Sequence, residues 1–194
     1  MRSYIESYIS DGVELRKQVL RECSITIELI GQELYKVLQR GNKILICGNG
    51  GSAADAQHIA AELVNRYRVE RSPLPAIALT TDTSVITAIG NDYSFKEIFS
   101  KQVRALAREG DCLIAISTSG TSPNIIHAIK SARKAGCVVI SLTGNDGGEM
   151  PSLSDISLII PSSSTPLIQE MHLMVEHLMC DIVEKLLLQN VFER

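Results

Sequence analysis

His58 and Glu62 stand four residues apart in Asp55-Ala56-Gln57-His58-Ile59-Ala60-Ala61-Glu62. On an α-helix that spacing puts the imidazole and the carboxylate on one face. Such a pair can work as an acid/base couple or as two ligands of a metal ion. Far along the chain, Gln169, His172 and His177 fall on a second stretch with helical periodicity. Gln169 and His177 are separated by roughly 80° around that helix and can face one site, whereas His172 turns roughly 60° to the far side of Gln169. Spacing alone does not join the two helices in space, and a lone histidine is more often a hydrogen-bonded or surface residue than a ligand.

Two loops rich in glycine and hydroxyl side chains point to an anion. They are Cys47-Gly48-Asn49-Gly50-Gly51-Ser52 and Ser117-Thr118-Ser119-Gly120-Thr121-Ser122. Each follows a short apolar run and precedes a helical pattern. A strand feeding a small-residue turn into a helix start gathers free N–H groups, the positive end of the helix dipole and short hydroxyls at one spot. Two such loops suit a phosphorylated small molecule held between strand ends. Gly48-x-Gly50-x-x-Ala53 also fits the relaxed dinucleotide fingerprint. That reading wants an acid about 20 positions on. The strand-two candidate, Asp82, lies further away, and the second hydroxyl loop has no role in a dinucleotide site. No nucleotide cofactor is therefore expected.

The elements that must position these groups follow from the apolar pattern. Ile44–Cys47, Pro75–Leu79, Cys112–Ile116, Val138–Leu142 and Ile156–Ile160 read as strands, with helical segments between them. A last helix is expected from Leu167 to about Leu188. Continuous apolar strands alternating with helices predict an α/β fold: one doubly wound, five-stranded parallel sheet with helices on both faces. Such sheets bind ligands outside the carboxyl ends of their strands, near the switch in strand order. Ahead of them, Ile5, Ile9 and Val13 form one helical series, and Ile27, Ile30, Leu34, Val37 and Leu38 another. These predict a helical pair over 1–40, broken near Glu22-Cys23-Ser24, ahead of the 41–194 core; a pair so placed often packs against a partner subunit and hints at an oligomer.

Composition removes other classes. The 194 residues carry 45% hydrophobic and 21% charged side chains and a net charge of −3, giving no support to nucleic-acid binding. The charged amphipathic start suits neither a signal peptide nor a membrane span. Five scattered cysteines, without a Cys-x-x-Cys pair, read as buried hydrophobes in a reducing cytoplasm.

Taken in order, Cys47-Gly48-Asn49-Gly50-Gly51-Ser52-Ala53-Ala54-Asp55-Ala56-Gln57-His58, Ala61-Glu62-Leu63, Arg66-Tyr67, Gly90-Asn91-Asp92, Ile116-Ser117-Thr118-Ser119-Gly120 and Ile168-Gln169-Glu170-Met171-His172 resemble the bacterial phosphoheptose isomerases of the sugar isomerase (SIS) domain superfamily over essentially the whole chain. The resemblance implies conversion of sedoheptulose 7-phosphate to D-glycero-D-manno-heptose 7-phosphate, the first step toward ADP-heptose for lipopolysaccharide or other glycans. It implies Glu62 and His177 as the acid/base pair. It implies sugar-phosphate contacts from Asn49, Gly50, Gly51, Ser52, Glu62, Arg66, Asn91, Asp92, Ser117, Thr118, Ser119, Ser122 and Gln169. His58, Glu62, Gln169 and His177 match the positions that hold zinc in metal-containing members, and members are homotetramers whose sites combine neighbouring subunits.

Two positions depart from the pattern. Leu167 stands where many relatives carry arginine, and Asn65 where a glycine is common. Non-catalytic members of the superfamily offer an alternative, such as the factor that associates with the DnaA replication initiator. That factor lacks a histidine matching His177. A sugar-phosphate-sensing regulator would normally add a DNA-binding module, and none is evident in this sequence.

Overall fold

The computed structural model describes residues 1–192, in the order α1 (Arg2–Gln39), β1 (Ile44–Gly48), α2 (Gly51–Val64), β2 (Ala76–Ala78), α3 (Thr83–Asp92), a 3₁₀ turn (Phe95–Glu97), α4 (Ser100–Leu106), β3 (Cys112–Ser117), α5 (Pro123–Lys134), β4 (Val138–Gly144), α6 (Met150–Leu153), β5 (Ile156–Ile160) and α7 (Thr165–Phe192). The strands form one parallel sheet in the order β2-β1-β3-β4-β5. Strand order reverses between β1 and β3, so this is the point where a doubly wound sheet opens a ligand crevice. Both hydroxyl loops leave strands that flank it.

Every residue of β1 and β3 is buried, which is why Ile44–Cys47 and Cys112–Ile116 are continuously apolar ahead of Gly48 and Ser117 at the strand ends. Alternate side chains serve two cores. Ile44, Ile46, Ile114, Ile116 and Leu142 pack under α1, α2 and α7, while Leu45, Cys47, Leu113, Ala115 and Val139 pack under α4 and α5. The opposite end of the sheet is tied by Asp111. Its carboxylate accepts from the N–H of Lys43 (3.0 Å) and of Arg108 (2.7 Å) and pairs with the Lys43 ammonium. Burial raises the pKa of this group, but those donors outweigh it and hold the carboxyl below its ordinary value.

The first forty residues depart from expectation. Arg2–Gln39 is one helix of 38 residues, about 57 Å long, and no break occurs near Cys23. The apolar stripe runs unbroken through Leu15, Val19, Cys23, Ile27, Ile30, Leu34 and Val37. Cys23 is part of the buried face, and the Ser24 hydroxyl donates to the Leu20 carbonyl one turn back, a local bond that the helix accommodates without breaking. Tertiary packing on α7 and β5 overrides their weak helix propensity. The short α6 was not expected. Pro151 stands in its first turn and Met150 is buried.

Candidate active site

The first loop turns on Gly50 (φ +56°), whose carbonyl accepts from Ala53 N–H at 3.1 Å and starts α2. No side chain caps this helix, so first-turn N–H groups are left facing the crevice. Ser52 lies buried just inside it. In the second loop, Ser117 Oγ lies 3.0 Å from Ser122 Oγ and 3.4 Å from Ser119 Oγ, a cluster of three hydroxyls at the start of α5. Ser122 is the N-cap residue of α5, yet its hydroxyl caps nothing and turns toward Ser117. The Thr118 carbonyl accepts from Gly144 N–H (3.1 Å) and Asn145 Nδ2 (3.0 Å), which fixes the loop to the end of β4.

The two loops are joined by a reciprocal amide pair. Asn49 Nδ2 donates to Asn124 Oδ1 at 2.9 Å, and Asn124 Nδ2 donates to Asn49 Oδ1 at 2.8 Å. Asn49 was expected to meet substrate, but its side-chain carbonyl and one of its N–H bonds are engaged here. Asn124 had no part in the sequence reading. It is buried and immediately follows the proline that opens α5, and only the fold reveals its partner.

Tertiary structure also joins the two helices that carry the expected acid/base pair. His58 Nε2 and His177 Nε2 face each other at 2.8 Å, with ring centroids 5.0 Å apart in an edge-on arrangement. Glu62 Oε1 is 3.8 Å from His58 Nε2, on the expected shared face of α2. Gln169 reaches the first loop: a Cβ on Gly51 would come within 2.5 Å of its Nε2, so the glycine makes room for it. Gln169 and His177 therefore both face α2, at Gly51 and at His58, and His172 is engaged elsewhere. His172 is fully buried, and its Nε2 bonds the Thr143 carbonyl at 3.0 Å. Burial pushes its pKa down to about 4. Beneath the site, burial raises the carboxyl of Asp55 to about 6 and that of Glu176 to about 9.

Other expected residues stand apart. Asn91 and Asp92 lie at the exposed end of α3 and bond each other at 2.9 Å. Arg66 is exposed and lies 3.6 Å from Glu70. Leu167 is buried and packs 3.7 Å from the Cβ position of Gly12, so in this chain it serves the contact between α1 and α7. Asp82 caps α3 by accepting from Val85 N–H at 2.9 Å, which removes the acid the dinucleotide reading needed.

Zinc can be tested against the donors. Two imidazole nitrogens, a carboxylate and an amide oxygen are types that zinc accepts. Around a tetrahedral ion, ligand nitrogens sit about 3.3 Å apart, given bonds of about 2.0 Å. The two imidazoles need to open only slightly from 2.8 Å. Among the described residues, no three His, Cys, Asp or Glu side chains already converge on one metal position. The donor set fits zinc in type, with the two histidines nearest to its geometry.

The chain that builds this crevice is similar to known proteins over nearly its whole length. The SIS domain family model matches residues 7–144. The phosphoheptose isomerase of Aliarcobacter butzleri is 56% identical over 95% of this chain and 97% of its own length. That of Trichlorobacter lovleyi is 52% identical over 95% and 94%. The solved phosphoheptose isomerase of Neisseria gonorrhoeae superposes with a TM-score of 0.90 at 42% identity, covering 95% of this chain and 98% of that one. The chain belongs to the SIS domain family, among its phosphoheptose isomerases.

Proposed function

We propose that this chain is an aldose–ketose isomerase interconverting sedoheptulose 7-phosphate and D-glycero-D-manno-heptose 7-phosphate through an enediol. The observation that carries the reading is the meeting of α2 and α7. It sets His177 against His58 at 2.8 Å, with Glu62 one helical turn further along α2, and His58 stands about two turns along that helix from the first loop. The phosphate fits the hydroxyls of Ser117, Ser119 and Ser122 and the open N–H groups that start α2. Held there, it supplies binding energy remote from the reacting carbons and positions them. Glu62 then removes the proton from one of C1 and C2 and returns it to the other, while His177 moves the proton between O1 and O2. No redox cofactor is needed for that exchange.

The resemblance also supports one zinc per subunit, held by His58, Glu62, Gln169 and His177. Bound there, the ion supplies Lewis-acid stabilisation of negative charge on the sugar oxygens. A carboxylate that ligates a metal is a weaker base, so Glu62 would act as the base only while it is free of the ion. Chelation that abolishes activity while the oligomer survives, with zinc restoring it, argues against a purely structural ion. The working unit we propose is a cytoplasmic homotetramer, with Asn91, Asp92 and Arg66 completing sites across subunit boundaries.

The test is turnover of sedoheptulose 7-phosphate by purified protein. Glu62→Gln and His177→Ala are each expected to lower kcat by about 10²- to 10⁴-fold with folding intact. A folded, zinc-loaded wild type that leaves the sugar unconverted overturns the reading.

A further inference from the structure

Tyr67 lies just beyond α2, with its ring stacked on that of His177: the centroids are 5.7 Å apart and the planes differ by 24°. A catalytic imidazole is ordinarily oriented by an acceptor at its second nitrogen. Among the described residues no hydrogen bond holds Nδ1 of His177, whose polar contact is through Nε2 to His58. The plane of this ring is thus set by two aromatic neighbours, His58 at its edge and Tyr67 on its face.

Tyr67 is itself held by a built support. Glu184 stands seven residues after His177 on α7, two turns along the same face, and is buried. Its carboxylate accepts three consecutive backbone N–H groups, from Tyr67 (2.9 Å), Arg68 (2.9 Å) and Val69 (3.2 Å), and a fourth bond from Arg71 Nε (3.1 Å). Arg71 in turn donates to the carbonyls of Glu62 (2.7 Å) and Leu63 (2.8 Å), closing the end of α2. The bend at 65–71 is locked to α7 and to the backbone of Glu62 at once. The Arg68 guanidinium, 5.2 Å from the Tyr67 centroid, adds a cation–π contact to the same ring.

We propose that Tyr67 is a positioning residue for His177, its ring fixing the imidazole plane and the Glu184–Arg71 pair fixing the ring. Because the two acid/base groups leave different helices, the 65–71 bend is the part that keeps them in mutual register. A misplacement of order 1 Å at such a site costs up to about a hundredfold in rate. The aromatic face does the work here, so phenylalanine can replace tyrosine and an aliphatic side chain cannot.

The kinetic half of this inference rests on the isomerase reading, and the test separates the two. The four histidines give four resolvable ring signals in ¹³C-histidine-labelled protein, with His177 assigned by its loss in His177→Gln. In metal-free protein without substrate, Tyr67→Leu is expected to shift the His177 signal by loss of the ring current. Tyr67→Phe keeps the signal near its wild-type position, and Glu184→Gln shifts it part of the way. In turnover of sedoheptulose 7-phosphate, Tyr67→Leu lowers kcat by about tenfold or more, with KM within about threefold, and Tyr67→Phe recovers most of it. A His177 signal unmoved in both Tyr67→Leu and Glu184→Gln overturns the proposal. So does a moved signal with kcat unchanged, or a phenylalanine variant as slow as the leucine one. Wild-type protein that leaves the sugar unconverted overturns the isomerase reading, and with it the kinetic half, whatever the spectrum shows.

Discussion

At Gly120 the backbone adopts φ +65°, and an added Cβ would lie 1.8 Å from the Gly147 carbonyl oxygen. At Gly48 a Cβ would lie 2.3 Å from the Ser52 carbonyl oxygen. Neither obstacle is a side-chain end that can swing away. Gly120→Ala is therefore expected to destabilise the protein by about 2 kcal/mol or more and to weaken sugar-phosphate binding. Thermal unfolding and calorimetric titration read the two effects. His172 supplies a pH signature. Its folded pKa of about 4 lies below the ordinary 6.5, so the unfolded chain takes up a proton that the folded chain refuses. Its contribution to stability is full above about pH 6.5 and is lost as pH falls toward about 4. Asp55 and Glu176 act with the opposite sign. Their raised values hold protons in the folded state, so stability falls as pH rises toward about 6 and about 9. Because those terms are common to both proteins, His172→Gln should lose less Tm than wild type between about pH 7 and about pH 4.5.

Elements position these residues by close approach. α1 and α7 meet where Gly31 faces Ile182, and a Cβ on Gly31 would come within 2.6 Å of Ile182 Cγ2. Gly31→Val is expected to cost about 1 to 3 kcal/mol by overpacking. It should also loosen α7 and so lower kcat without touching the site, which denaturant unfolding and steady-state kinetics report together. The start of α5 is tied to the first loop through Asn124, a residue only 2% exposed. Asn124→Ala leaves the Asn49 amide without its partner, at about 1 to 3 kcal/mol, and should raise KM more than it lowers kcat.

Across the whole molecule, the first turns of α1 carry Tyr4, Ile5, Ile9 and Val13, each about half exposed or more. α3 buries no residue at all within the chain. Apolar surface arranged in this way marks an interface. If the proposed homotetramer forms through this face, replacing Ile5 and Ile9 together by glutamate is expected to shift sedimentation toward smaller species and to lower activity with it. The five cysteines are all buried, and burial pushes the Cys47 thiol up to about 12. A thiol reagent should label none of them until the protein unfolds. Among the described residues no helix is long and apolar enough to cross a membrane.

Local chemistry by itself determined the strands, the two anion loops and the shared face of His58 and Glu62, because period, turn residues and i, i+4 spacing are properties of short segments. The break predicted near Cys23 failed because propensity at two residues is a small term beside a continuous buried stripe. Only tertiary structure decided that His177 meets His58, that Asn49 is engaged by Asn124, and that Glu184 holds the bend beneath Tyr67. Their partners lie 75 to 119 residues apart in sequence. A pairing across such a distance is set by how helices cross the sheet, and no local pattern encodes it.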